Sequence, residues 1–131
     1  GYVNGMRGNN PLGVVRTVEW ESTNGSRRGP SLQCGYDEDV FEPRDEFKGD
    51  LARGLLYMAT RYADEDQDWQ GSDAAAGASL EPWAEEVLRY WHIVDPVDST
   101  EAARNDAVHA AQGNRNPFID HPEWVCQVED F

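Results

Sequence analysis

Asp45-Glu46-Phe47-Lys48-Gly49-Asp50-Leu51-Ala52-Arg53-Gly54-Leu55-Leu56-Tyr57-Met58-Ala59-Thr60-Arg61-Tyr62-Ala63 is the stretch around which the rest of the chain is organised. Phe47, Leu51, Leu55, Met58 and Tyr62 recur at the three-to-four residue spacing that brings side chains onto one face of an α-helix. The spacing predicts a core helix over 45–63, entered after Pro43, whose ring is incompatible with a helix interior.

Downstream, residues 64–78 mix acids with Gly and Ala without a period and are expected to form a loop. Pro82 suits a first helical turn, and Trp83, Val87, Tyr90, Trp91 and Val94 mark one face of a second helix that Asp95-Pro96 ends. Asp98 and Glu101 stand three apart, as in a capping box, and open a third helix that runs to Gln112 and stops at Gly113. Its apolar positions, Ala103, Ala107, Ala110 and Ala111, are small, which suits close helix packing. A short last helix is expected over 122–128. Upstream, Val14, Val15, Thr17 and Val18 beside Trp20 predict a strand within 13–21, followed by a polar loop over 22–31 and a second strand over 32–36. Residues 1–10 are rich in turn formers. The expected fold class is α+β, mainly helical with a short β element, in one domain over 1–131.

The size, 131 residues, suits a single core, and five tryptophans and five tyrosines supply large side chains to fill it. The formal charge of -14 repels a phosphate backbone wherever it is spread evenly. Ten of the eleven basic residues are nevertheless arginine, whose guanidinium matches phosphate in bidentate geometry, so local placement outweighs the total. No run of eighteen apolar residues and no basic-then-apolar leader occurs, which leaves no membrane span to expect. The chain opens at Gly1 without an initiator methionine, and upstream sequence is expected to be missing. Cys34 and Cys126 admit two readings, a disulfide suited to export or two separate thiols.

Four stretches, in order, resemble the bacterial endonuclease I family of periplasmic and extracellular nucleases. They are Tyr2-Val3-Asn4-Gly5-Met6-Arg7-Gly8-Asn9; Glu42 to Arg53, continuing through Tyr57-Met58 to Arg61-Tyr62; Trp91, Asp95-Pro96-Val97, Glu101 and Arg104-Asn105; and Gln112 to Asp120. Tyr2 stands where the family often has glutamate. The resemblance implies the C-terminal part of a ββα-metal (His-Me finger) nuclease. In that family a strand-borne histidine, in a Glu-His pair, is the general base, and an asparagine on the following helix shares the metal with that glutamate. Only the asparagine has a counterpart, Asn4, so no catalytic base is expected in this chain and the histidine is placed upstream of Gly1. The implied cofactor is Mg²⁺, with Ca²⁺ or Mn²⁺ as alternatives. The implied partners are DNA, with RNA as a second candidate substrate, and the missing N-terminal segment of the same protein, and the implied location is secreted or periplasmic.

Each candidate residue also has a structural alternative. Asn4 precedes Gly5, a common turn pair, but its neutral amide oxygen is a hard ligand that leaves a divalent cation its charge. Arg7, three residues on, shares a helical face with Asn4 and suits either phosphate or a surface ion pair. Lys48 and Arg53 suit the same cleft by resemblance, while Arg53 equally suits anchoring Asp50 or a buried carboxylate. Arg115 lies in Asn114-Arg115-Asn116-Pro117, which reads as a rigid turn that also offers a phosphate contact. Glu101, Arg104 and Asn105 read as a packing and capping cluster. His92, His109 and His121 lack the Glu-His strand setting of a base. The whole reads as part of a sequence-nonspecific, metal-dependent endonuclease, with a non-catalytic acidic binding module or degenerate nuclease domain as the alternative.

Overall fold

The computed structural model describes residues 2–65 and 72–131. Residues 66–71, the centre of the predicted loop over 64–78, lie outside the described residues. The architecture is α+β and mainly helical, as expected. A short helix α1 (Tyr2–Arg7) precedes an antiparallel sheet of β1 (Trp20–Glu21), β2 (Arg27–Pro30) and β3 (Asp39–Glu42), with Arg28 paired to both Trp20 and Phe41. A 3-10 turn over Asp45–Phe47 leads into α2 (Lys48–Tyr62). A hairpin of β4 (Ala75–Ala76) and β5 (Ser79–Leu80) follows, then α3 (Pro82–Val94), α4 (Ser99–Gln112), α5 (Pro117–Asp120) and a closing 3-10 segment, Pro122–Gln127.

The β region departs most from expectation. The predicted strand over 13–21 survives as β1 and scattered bonds, including Arg16 N to the Pro30 carbonyl at 2.8 Å and Glu19 N to that of Arg28 at 3.0 Å, because bends interrupt the ladder over 16–19. The polar loop expected over 22–31 contains β2 instead. The strand expected over 32–36 is a turn, in which Gly35 adopts φ +91°, a left-handed value that glycine takes without steric cost. That turn brings β3 back against β2.

α2, α3 and α4 lie where the sequence pattern puts them, whereas α1 and α5 form in stretches expected to be turns, and two of the helices present unexpected faces. On α2 the buried residues are Gly49, Ala52, Arg53, Leu56 and Ala59, whereas Phe47, Leu51, Leu55 and Met58 are 38–45% exposed. The apolar stripe expected at the core therefore points outward. On α4 the four alanines are exposed, and the buried side chains are Glu101 and Asn105. Asp98 does cap α4, its carboxylate accepting from Glu101 N at 2.8 Å, and Gly113 ends it at φ +81°. On α3, Trp83, Val87 and Trp91 are buried as expected, while Tyr90 and Val94 face out.

The main core joins Ala52, Leu56 and Ala59 of α2 to Val87, Leu88 and Trp91 of α3, closed by Phe118, Val125 and Phe131. Phe118 and Phe131 meet edge to face at 5.6 Å. A second cluster of Val40, Trp83 and Ala84 ties β3 to the start of α3, with Tyr36 stacked on Trp83 at 4.3 Å. Cys34 and Cys126 are both unpaired and exposed, which settles the two readings in favour of separate thiols in this structure.

Candidate active site

Helix α1 is a single turn and a half, ended by Gly8 at φ +57°. Asn4 and Arg7 lie on its exposed surface, and the Asn4 amide has no hydrogen-bond partner among the described residues. The carbonyl end of the helix carries two guanidiniums. Arg7 occupies the last turn, and Arg28, reaching from β2, places Nη1 3.4 Å from the Met6 carbonyl. Positive charge at that end complements the helix dipole. Nε of Arg28 is buried without a hydrogen-bond partner. Nothing in the sequence pattern singled out Arg28, since it lies in the run expected to be a polar loop.

Among the described residues Arg7, Arg16 and Arg28 are the cations in no ion pair; the others all face carboxylates. The cations in no ion pair thus lie on α1 (Arg7), in the segment before β1 (Arg16) and on β2 (Arg28), of which Arg28 reaches α1. Arg7 also borders a hollow flanked by Glu38, Asp39 and Asp73, so the field there is mixed. No group of three or more His, Cys, Asp or Glu side chains arranged to hold a metal occurs among the described residues.

The remaining sequence-selected residues do not converge with Asn4 and Arg7 on one groove. Arg53 is fully buried in the α2–α4 interface. Its Nε and Nη2 meet the two Glu101 oxygens at 2.8 and 2.6 Å, and Nη1 reaches the Asp95 carbonyl at 3.0 Å and His92 Nδ1 at 3.2 Å. A guanidinium so enclosed has no donor left for a phosphate oxygen, so the cleft role is replaced by the buried-carboxylate anchor. Burial pushes the Glu101 carboxyl up from the usual range, and the Arg53 guanidinium opposes that push. Lys48 is held by Glu42 at 2.8 Å and Asp45 at 2.7 Å. Burial lowers its pKa and these two carboxylates more than offset that, for a net rise.

Arg115 closes a clasp rather than reaching outward. It is bidentate to Asp120 at 2.8 Å and also meets Asp106 at 2.7 Å. Hydrogen bonds from Arg115 hold Asp120 below the ordinary carboxylate range. Within the same turn, Asn116 accepts from Phe118 N at 3.0 Å, donates to the Arg53 carbonyl at 3.0 Å, and gives its backbone N–H to Asn105 at 2.9 Å. The rigid-turn alternative is the arrangement observed.

The histidines stay outside the α1 region. Burial, and then the Arg53 charge, hold His92 below its ordinary value, against the pull of the Pro122 carbonyl. Nε2 lies 2.9 Å from that carbonyl and Nδ1 faces Arg53, contacts satisfied together by a neutral ring with its proton on Nε2. With both nitrogens committed, His92 has no lone pair to offer a water. His121 stacks on Trp124 at 4.3 Å beside Glu123, and His109 is exposed on α4.

The chain is similar to secreted nucleases over most of its length. It is 46% identical over 98 residues to an extracellular ribonuclease of Bacillus subtilis (strain 168), a match covering 71% of this chain and 34% of that protein. An extracellular ribonuclease of Bacillus amyloliquefaciens is 47% identical over 97 residues, with the same coverage of each chain. An extracellular deoxyribonuclease of Aeromonas hydrophila is 28% identical over 128 residues, or 97% of this chain and 46% of that protein. This chain therefore spans about a third to a half of the length of these relatives, all named as extracellular, in keeping with the expected export. Among the described residues no helix is long and apolar enough to cross a membrane. No solved structure gives a significant match. The family model described as Endonuclease I matches residues 1–123, and with it the chain belongs to the endonuclease I family.

Proposed function

We propose that residues 1–131 form the C-terminal part of a divalent-metal-dependent, sequence-nonspecific endonuclease that hydrolyses phosphodiester bonds in DNA and RNA. The observation that carries the reading is α1, where an exposed amide without a partner among the described residues lies one turn from Arg7, on the helix whose carbonyl end Arg28 reaches. An amide oxygen is a hard donor suited to Mg²⁺, Ca²⁺ or Mn²⁺, but a single donor makes only part of a coordination shell. Asn4 fits as one arm of the site, and the other protein ligand and the histidine base come from a segment preceding Gly1. A metal bound there would polarise a phosphate oxygen and stabilise the leaving 3′-oxygen. Arg7 grips the adjacent phosphate, and Arg28 holds the carbonyl end of α1 in place beneath it. Arg53, Lys48 and Arg115 act through the framework that holds α2 against its neighbours. The same reading places the protein in the secreted or periplasmic compartment.

The test is plasmid nicking with Mg²⁺ by the 131-residue chain and by the longer gene product. The longer protein is expected to cleave and the 131 residues alone to be inactive. In the longer protein Asn4→Ala should lower the rate by on the order of 100-fold. Robust cleavage by the short chain would refute the placement of the base.

A second reading, a non-catalytic acidic binding module, draws support from the -14 charge and from the many cations already neutralised. Calorimetric titration of Mg²⁺ separates the two, because equal affinity in wild type and Asn4→Ala favours the acidic module.

A further inference from the structure

The outward stripe along α2 is an apolar feature that neither the core nor the proposed chemistry uses. Phe47, Leu51, Leu55 and Met58 line a groove of about 620 Å³ together with Val3 of α1 and Pro43. Helical spacing puts Leu51, Leu55 and Met58 of α2 in register behind Phe47 along a turn-by-turn ridge, the arrangement that normally faces a protein interior. Asp50 and Arg104, which pair with each other at 2.8 Å, form a polar rim. Apolar area gathered in this way on a chain of charge -14 marks a surface that is covered.

We infer that the groove is the seat of the segment that precedes Gly1 in the longer gene product, so that α1 and α2 together form the face onto which the base-bearing part of the nuclease docks. This rests on the proposed nuclease reading. Two observations favour that occupant over a second copy of the chain. The 131 residues correspond to only about a third to a half of the relatives they match, so comparable proteins carry further chain to cover the stripe. Val3 lines the groove and Asn4 is the next residue, so a segment lying in the groove arrives beside the proposed metal ligand.

Thiol footprinting tests this directly. In a Cys34→Ser, Cys126→Ser background, Leu55→Cys is labelled by a soluble thiol reagent in the 131-residue chain and in the longer gene product. Labelling should be fast in the short chain at all concentrations and slower by at least about tenfold in the longer protein, where the groove is filled. Equal rates in the two proteins would overturn the inference, as would a gene product with no segment before Gly1. Protection that rises with the concentration of the short chain would also overturn it, by identifying a second copy as the occupant. Plasmid nicking by the same longer protein keeps the two claims apart. Protection without nicking sinks the nuclease reading and leaves the docking face intact, whereas nicking without protection does the reverse.

Discussion

Glu101→Gln isolates the interaction on which the helical half of the fold depends. The substitution keeps the shape of the side chain and removes the charge facing Arg53, and both side chains are fully buried. Breaking a buried pair from one side typically costs about 3–5 kcal/mol, because the remaining charge stays dehydrated without a counter-charge. Asp50 lies 3.7 Å from Arg53 Nη2 and remains in the variant, which places the loss near the lower end, about 3 kcal/mol. With a urea dependence of about 2 kcal/mol per molar, the unfolding midpoint should fall by about 1.5 M, read by circular dichroism at 222 nm. Replacing both partners with apolar residues, as Arg53→Met with Glu101→Leu, should recover most of that loss. A midpoint for Glu101→Gln within about 0.3 M of wild type would refute the argument, since it would mean that water or another anion already compensates Arg53.

Three further outcomes follow from the same contacts. His92 has its folded pKa below the ordinary 6.5, so as pH falls the unfolded chain takes up a proton first; stability should be unaffected by this group above about pH 6.5 and decline below it, by up to about 1.4 kcal/mol per pH unit, and His92→Gln should flatten that slope in thermal melts. Gly49→Ala would set a methyl group 1.9 Å from the Asp95 carbonyl oxygen and 2.6 Å from Arg53 Nη2, and the backbone shift required should cost about 1–3 kcal/mol in urea titration; an unchanged midpoint would contradict the close approach. Two asparagines should behave oppositely: Asn116→Ala, which removes the α5 cap and the bond to the Arg53 carbonyl, should lower stability by about 1–2 kcal/mol, while Asn4→Ala, exposed and without a partner, should stay within about 0.5 kcal/mol of wild type in the same assay.

The contrast between those asparagines shows what the sequence makes legible. Local rules located α2, α3 and α4 closely, because helical spacing, Pro82, Asp98 and Gly113 act within a few residues of themselves. The same rules misassigned their faces. Spacing shows that Phe47, Leu51, Leu55 and Met58 share a side, but not whether that side meets the core of this chain or another segment. Nor does periodicity foresee an interface built on Arg53 and Glu101, since charged residues ordinarily face water. The sheet was harder still, because β2 is written as Arg27-Arg28-Gly29-Pro30, with none of the alternation that identifies a strand, and its pairing is set by partners six to fifteen residues away. Asn4 entered through family resemblance, and spacing alone would have left it a turn residue.

One arginine is bonded to three other helices at once, two through its guanidinium and one through its carbonyl, and this shapes how the protein opens. From α2, Arg53 bonds to His92 on α3 and Glu101 on α4, and its own carbonyl accepts from Asn116 at the start of α5. α4 shows solvent most of its surface, so by exposure alone its amides would be expected to exchange with deuterium early through local fraying. Detaching it, however, means stranding a charge that the neighbouring helices also hold, so α4 cannot peel away as a separate unit. Its slowest amides should then exchange at the rate of global unfolding, making a polar knot, not an oily one, the point at which this half of the molecule yields all together.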